Sequence, residues 1–203
     1  MDNLIKFFLE VGKLKGLERS GWVIEGVKNP ESVAEHIFRT ALAVIVLGKD
    51  RKDMDLHKAV KMALVHDIAE SQVGDILVDW KLKLHSKENV SRLRDLEKHG
   101  IAQEEKLRRE KEGMEKLVSL LGKDGKEFLD LWEEFEEGKS KEAAFVKSVE
   151  TFEMFLQAYQ YKKEQPGVDI SAWFGHRRDL GAVKDDKIKK LILKIVEQRN
   201  SKK

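Results

Sequence analysis

Cysteine is absent from the 203 residues. Disulfides and thiolate metal ligands are therefore excluded, and any metal the chain holds must be met by imidazole and carboxylate. Such donors suit Mn, Co, Zn, Ni or Fe. Proline occurs only twice, and alternating β-branched runs are scarce, which argues against strands. No apolar run reaches the roughly 18 residues of a membrane helix. The amphipathic start, Met1 to Glu10, is too short in apolar residues for a signal peptide. A soluble cytoplasmic protein with no membrane partner is expected. An excess of one charge is also missing: 39 basic and 37 acidic residues leave a net +2. That balance argues against a basic face for a nucleic-acid polymer.

What remains is dense charge of both signs, 37% of residues, in a mix that resembles thermophile proteins. The length suits one domain, and no linker, repeat or low-complexity tract divides it. Apolar residues recur at helical spacing throughout, so the fold class is all-α. Leu4, Phe7, Phe8 and Val11 predict a first helix to about Leu14, followed by a Gly-flanked loop carrying Arg19 and Trp22. Ser32-Val33-Ala34-Glu35 reads as a capping box. It predicts a helix from Ser32 to about Leu47 with Val33, Ile37, Ala41, Val44 and Ile45 inward. Further helices are expected from about Leu56 to Ser71, from Lys126 to Phe135, from Ser140 to about Lys163, and from about Asp185 to Gln198. The half-charged stretch between Lys81 and Lys116 reads as solvated helix.

Within this pattern one segment stands apart: Ala63-Leu64-Val65-His66-Asp67-Ile68-Ala69-Glu70, three ionisable groups in an apolar run. Burying a carboxylate costs several kcal/mol unless it is paired, and a divalent cation would pair all of them. On a continuous helix His66 and Glu70 share a face, and Asp67 lies about 100° from His66. Gly74-Asp75 supplies another carboxylate one turn on. His36, beside Glu35, opens another helix; facing the dyad, it would complete most of a metal site. The bland alternatives stay open at this point. A His-Asp pair can be a surface hydrogen bond, and His36 a satisfied core histidine. Glu150, on the margin of an apolar face, can be a helix-rim charge. Arg19 offers a planar fork for phosphate and Trp22 a flat wall, or else a solvated Arg and a core anchor. His57, His85, His99 and His176 lack carboxylates in an apolar setting and read as solvated. Phosphate-loop, dinucleotide, nucleophile-elbow and H-E-x-x-H motifs are absent, so no organic cofactor is expected.

Several strings in order carry a resemblance: Arg19-Ser20-Gly21-Trp22, Pro30-Glu31-Ser32-Val33-Ala34-Glu35-His36, His66-Asp67-Ile68-Ala69-Glu70, Val73-Gly74-Asp75-Ile76 and Phe145-Val146-Lys147 through Glu153-Met154. Together they resemble the HD-domain metal-dependent phosphohydrolases, and most closely the HD-domain 5′-deoxynucleotidases. The resemblance implies a single HD-type helical bundle over 1–203, with its core at about 4–165 and a C-terminal helical extension over about 166–203. It implies one divalent cation held by His36, His66, Asp67 and a fourth carboxylate at Glu150, where the family has Asp. It assigns Glu70 and Asp75 to acid-base work, Arg19 to the phosphate and Trp22 to the sugar. A small-molecule nucleotide is the implied partner, in a homodimer whose interface would draw on Trp132, Phe135 and Trp173. The implied reaction removes the 5′-phosphate from deoxyribonucleoside 5′-monophosphates. The alternatives are another HD phosphohydrolase, acting on a triphosphate, cyclic nucleotide or alarmone, and a non-catalytic metal- or nucleotide-binding module. A longer connection than the family's, at about Leu77–Gly100, lies next to the site in sequence.

Overall fold

Short-range capping decides where most helices begin. The computed structural model describes residues 2–77, 103–170, 180 and 183–200; among these described residues there are nine α-helices and no strand. They are α1 (Asn3–Gly12), α2 (Ser20–Ile24), α3 (Val33–Gly48), α4 (Leu56–Val65), α5 (Glu70–Val73), α6 (Gln103–Ser119), α7 (Gly125–Glu137), α8 (Lys141–Glu164) and α9 (Asp186–Asn200). Ser32 and Glu35 form the expected reciprocal box: the Ser32 N–H donates to Glu35 Oε2 at 2.7 Å and the Glu35 N–H to Ser32 Oγ at 3.2 Å. Ser140 caps α8 through the Ala143 N–H at 3.1 Å. These side chains satisfy amide groups that a helix start leaves without partners.

The chain forms two compact units. The first comprises Met1–His36 and Val65–Leu131. Its core includes Phe7, Leu14, Val33, Ile68, Met114 and Leu117. Here α5 packs on α6 and α1, and the Gln72 amide donates to Glu10 Oε2 at 2.7 Å. The second comprises Ile37–Leu64 and Trp132–Lys203. In it α9 packs on α8 through Ile188, Ile192 and Ile195, spaced four and three apart on one face. Lys58 pairs with Glu134 at 2.7 Å, and the Arg39 Nε–H donates to the buried Glu153 carboxylate at 2.7 Å.

Four expectations are corrected. The stretch expected as a loop carrying Trp22 is helical over Ser20–Ile24. The helix expected from Leu56 to Ser71 stops at Val65, and α5 restarts at Glu70. Between them the amides of Ile68, Glu70, Ser71 and Gln72 each bond the carbonyl three residues back, a tighter winding than α. Ile45, expected inward, is exposed, as are Leu4 and Phe8 of the first helix's apolar stripe. Trp132 and Phe135, expected at an interface, are buried in the core and present no surface to a partner. Trp173, His85, His99, His176 and the connection at 78–100 lie outside the described residues; His57 is exposed as expected.

Candidate metal centre

All the candidate groups built from the two ends of the first unit meet there. A short antiparallel pairing ties the stretch around Arg19 to the start of α3: the Arg19 N–H donates to the Glu31 carbonyl at 2.9 Å and the Val33 N–H to the Leu17 carbonyl at 2.8 Å, around the Glu18–Ser32 bridge. Arg19 is thereby fixed beside the first turn of α3, which carries His36. The tight turn after Val65 delivers His66 and Asp67.

The Nε2 atoms of His36 and His66 face each other at 3.4 Å. Asp67 Oδ2 lies 3.7 Å from the first and 3.3 Å from the second. Both imidazoles are buried. Two atoms bound to one cation at roughly 2.1 Å in a tetrahedral arrangement stand about 3.4 Å apart. The three separations match that edge, so the donor set fits a divalent ion held by two imidazoles and a carboxylate; among the described residues, these three qualify as a metal-binding group.

Around this triad lie the charges of a reactive site. Arg19 Nη1 is 3.1 Å from Asp67 Oδ2 and 3.7 Å from both Glu70 Oε1 and Asp75 Oδ2. Gly74, at φ 82°, ends α5, a conformation a Cβ disfavours. Asp75 follows, held by the Ser20 N–H at 2.8 Å and, through its carbonyl, by the Ser20 hydroxyl at 2.7 Å. Burial pushes the Asp67 carboxyl up, but His66, Arg19 and His36 outweigh it and hold it well below the usual carboxylate range. Glu70 goes the other way: burial, then repulsion from Asp67 and Asp75, raises it well above that range. Its Oε2 is buried with no hydrogen-bond partner among the described residues, an acceptor that an incoming water or ligand would satisfy.

Trp22 is buried on α2, its indole N–H donating to Glu31 Oε1 at 2.9 Å. Glu150 lies half-buried on α8 in the second unit. Three contributors escape a reading of the sequence. Ser20 and Glu31 lie inside motif strings but carry no chemistry of their own there. Lys106 is hidden in a stretch where most residues are charged. Its ammonium is 3.3 Å from Glu110; burial would lower its pKa, but Glu110, Glu70, Asp75 and Asp67 together raise it.

An all-helical scaffold presenting His, then a His-Asp pair, around one cation position defines the class of HD metalloproteins. The chain belongs to the HD domain family, whose pattern matches residues 11–185. It is similar to "5′-deoxynucleotidase HDDC2" of Dictyostelium discoideum, 42% identical over 171 residues that cover 81% of this chain and 80% of that one. The Homo sapiens protein of the same name is 40% identical over 81% of this chain and 72% of its own, and that of Xenopus laevis 37% over 98% and 89%. Among solved structures, a conserved hypothetical protein from Pyrococcus furiosus is similar at a TM-score of 0.68 and 26% identity, covering 96% of this chain and 98% of the other. PH0347 from Pyrococcus horikoshii gives 0.64 and 30%, covering 96% and 97%.

Proposed function

We propose that this protein is a metal-dependent phosphomonoester hydrolase that releases the 5′-phosphate of deoxyribonucleoside 5′-monophosphates. The observation that carries the reading is the convergence of His36, His66 and Asp67 at ligand spacing with Arg19, Glu70 and Asp75 around them. The similarity to proteins named 5′-deoxynucleotidases supports the substrate class.

His36, His66 and Asp67 would hold the cation, with Glu150 as the fourth ligand in place of the family's Asp. One methylene longer, Glu150 still offers a carboxylate to a hard or borderline ion, and a nitrogen-oxygen donor set favours Mn, Co, Zn, Ni or Fe. A divalent cation bound there supplies Lewis acidity, drawing charge from the phosphate and easing the ionisation of water. Arg19, already the cation among three carboxylates, clamps phosphate oxygens with its planar fork. Glu70 takes the proton of the attacking water at Oε2: its raised affinity for protons brings it toward the strength a general base needs near neutrality. Asp75, oriented by Ser20, assists the departing 5′-oxygen. The resemblance puts Trp22 near the sugar, where it would disfavour a 2′-hydroxyl; buried on α2, it would back the sugar position and not line it.

The chain is proposed to work as one HD domain over 1–203 and as a homodimer, in the cytoplasm, where such a nucleotide would be met. A panel of deoxyribo- and ribonucleoside monophosphates assayed with each of the five metals tests the reading. Metal-dependent phosphate release, abolished in Glu70→Ala, is expected. Release no greater than that of Glu70→Ala, or release of pyrophosphate or triphosphate instead, overturns it.

A further inference from the structure

We infer that Glu31 is a positioning residue that locks the phosphate clamp, the indole wall and a metal ligand into one register. The inference rests on the roles proposed above for Arg19, Trp22 and His36, and it names the residue that ties them together. Three contacts carry it. The Glu31 carbonyl accepts the Arg19 N–H at 2.9 Å, which sets the backbone from which the guanidinium extends. The Glu31 carboxylate accepts the Trp22 indole N–H at 2.9 Å. A carboxylate oxygen of Glu31 also lies within 4.8 Å of a ring nitrogen of His36. All four residues belong to the first unit.

Glu31 is buried, as are Trp22 and His36, so its charge is felt in a medium that screens poorly. A carboxylate that accepts the second ring N–H of a ligating imidazole makes it a better donor; Glu31, within 4.8 Å of a ring nitrogen, acts on His36 through its charge. The same carboxylate holds an indole that the sequence places three residues after Arg19. A change at Trp22, which is not among the metal donors, is thereby transmitted to the cation.

The test measures metal affinity directly, by calorimetric titration of the full chain with manganese(II) chloride and no nucleotide. Glu31→Gln keeps an oxygen for the indole N–H and removes the charge beside His36. Its metal Kd is expected to rise about 10- to 100-fold, with the melting temperature of the chelated protein little moved. Trp22→Phe keeps the ring and removes the N–H that holds Glu31; its metal Kd is expected to rise as well, by about fivefold or more. Its preference for deoxyribo- over ribonucleotides should fall in kcat/KM. If either variant binds manganese within about twofold of the wild type, the inference is overturned. So too if Glu31→Gln lowers the melting temperature of the chelated protein without changing Kd, since that marks a merely structural residue. A wild type that binds manganese yet hydrolyses no nucleotide overturns the proposed function and leaves the Glu31 measurement standing.

Discussion

Two carboxylates three residues apart are driven in opposite directions by their surroundings, and that divergence sorts their roles. Asp67 has imidazoles and Arg19 around it and stays ionised, as a ligand must. Glu70 is deeper, faces Asp67 and Asp75, and binds its proton more tightly than the ordinary 4.5. The consequence for stability has a definite sign. Because the folded state holds this proton more tightly than the unfolded chain, stability falls as pH rises from about 4.5 through the raised folded value. Glu70→Gln removes the ionisation. In chelator, wild-type melting temperature is therefore expected to decline from pH 5 to 8 relative to Glu70→Gln, while with metal and substrate the variant loses about 100- to 10,000-fold in kcat. Parallel melting curves across that range would contradict the assignment. His36, His66, Asp67, Glu70 and Asp75 stood out in the sequence, because imidazoles and carboxylates in or beside apolar runs demand an explanation; Arg19 was singled out by the family resemblance and not by its own setting. Glu31 and Lys106 were not: their significance comes from which atoms they face, which for Lys106 depends on segments distant in sequence and for Glu31 on how the chain folds back between Arg19 and His36.

At the scale of elements, a four-residue helix carries Glu70, and its position depends on what packs against it. A Cβ at Gly113 on α6 would stand 3.2 Å from Gln72 Cβ and from Val73 Cγ1, and 3.4 Å from the Ala69 carbonyl oxygen. Gly113 thus allows α6 to approach α5 closely. Gly113→Val should crowd α5, lower stability by about 1–3 kcal/mol and reduce kcat. Gly12→Ala, where nothing lies within 4 Å of the added carbon, should raise stability by roughly 0.5–1 kcal/mol. Urea midpoints check both; a stabilised Gly113→Val would remove the packing argument. Helix existence was readable from apolar spacing, and the starts of α3 and α8 from Ser32-Glu35 and Ser140. The interruption after Val65 was not, because the apolar run from Ala63 to Ala69 reads straight through it. Tight bonding three residues back, which lets His66 and Asp67 reach one point, follows from the docking of α5 and not from local propensity.

For the whole molecule, the charge balance leaves association to apolar surface. On α3, in the second unit, Phe38, Leu42, Ile45 and Val46 project from one face, and Phe38 is 68% exposed. Spacing of four, three and one places them on a single stripe. A contiguous apolar patch is uncommon on a monomer and marks an interaction site. In a homodimer with a twofold axis the same patch meets itself, so one substitution appears on both sides of the interface. The wild type is accordingly expected to sediment as a dimer at micromolar concentration, and Phe38→Glu as a monomer, because it buries two like charges against each other at the axis. Phe38 makes no part of the first unit's donor cluster, so the variant's manganese affinity should match the wild type's. A wild type that sediments only as a monomer removes the dimer, and a Phe38→Glu protein that remains dimeric moves the interface off α3.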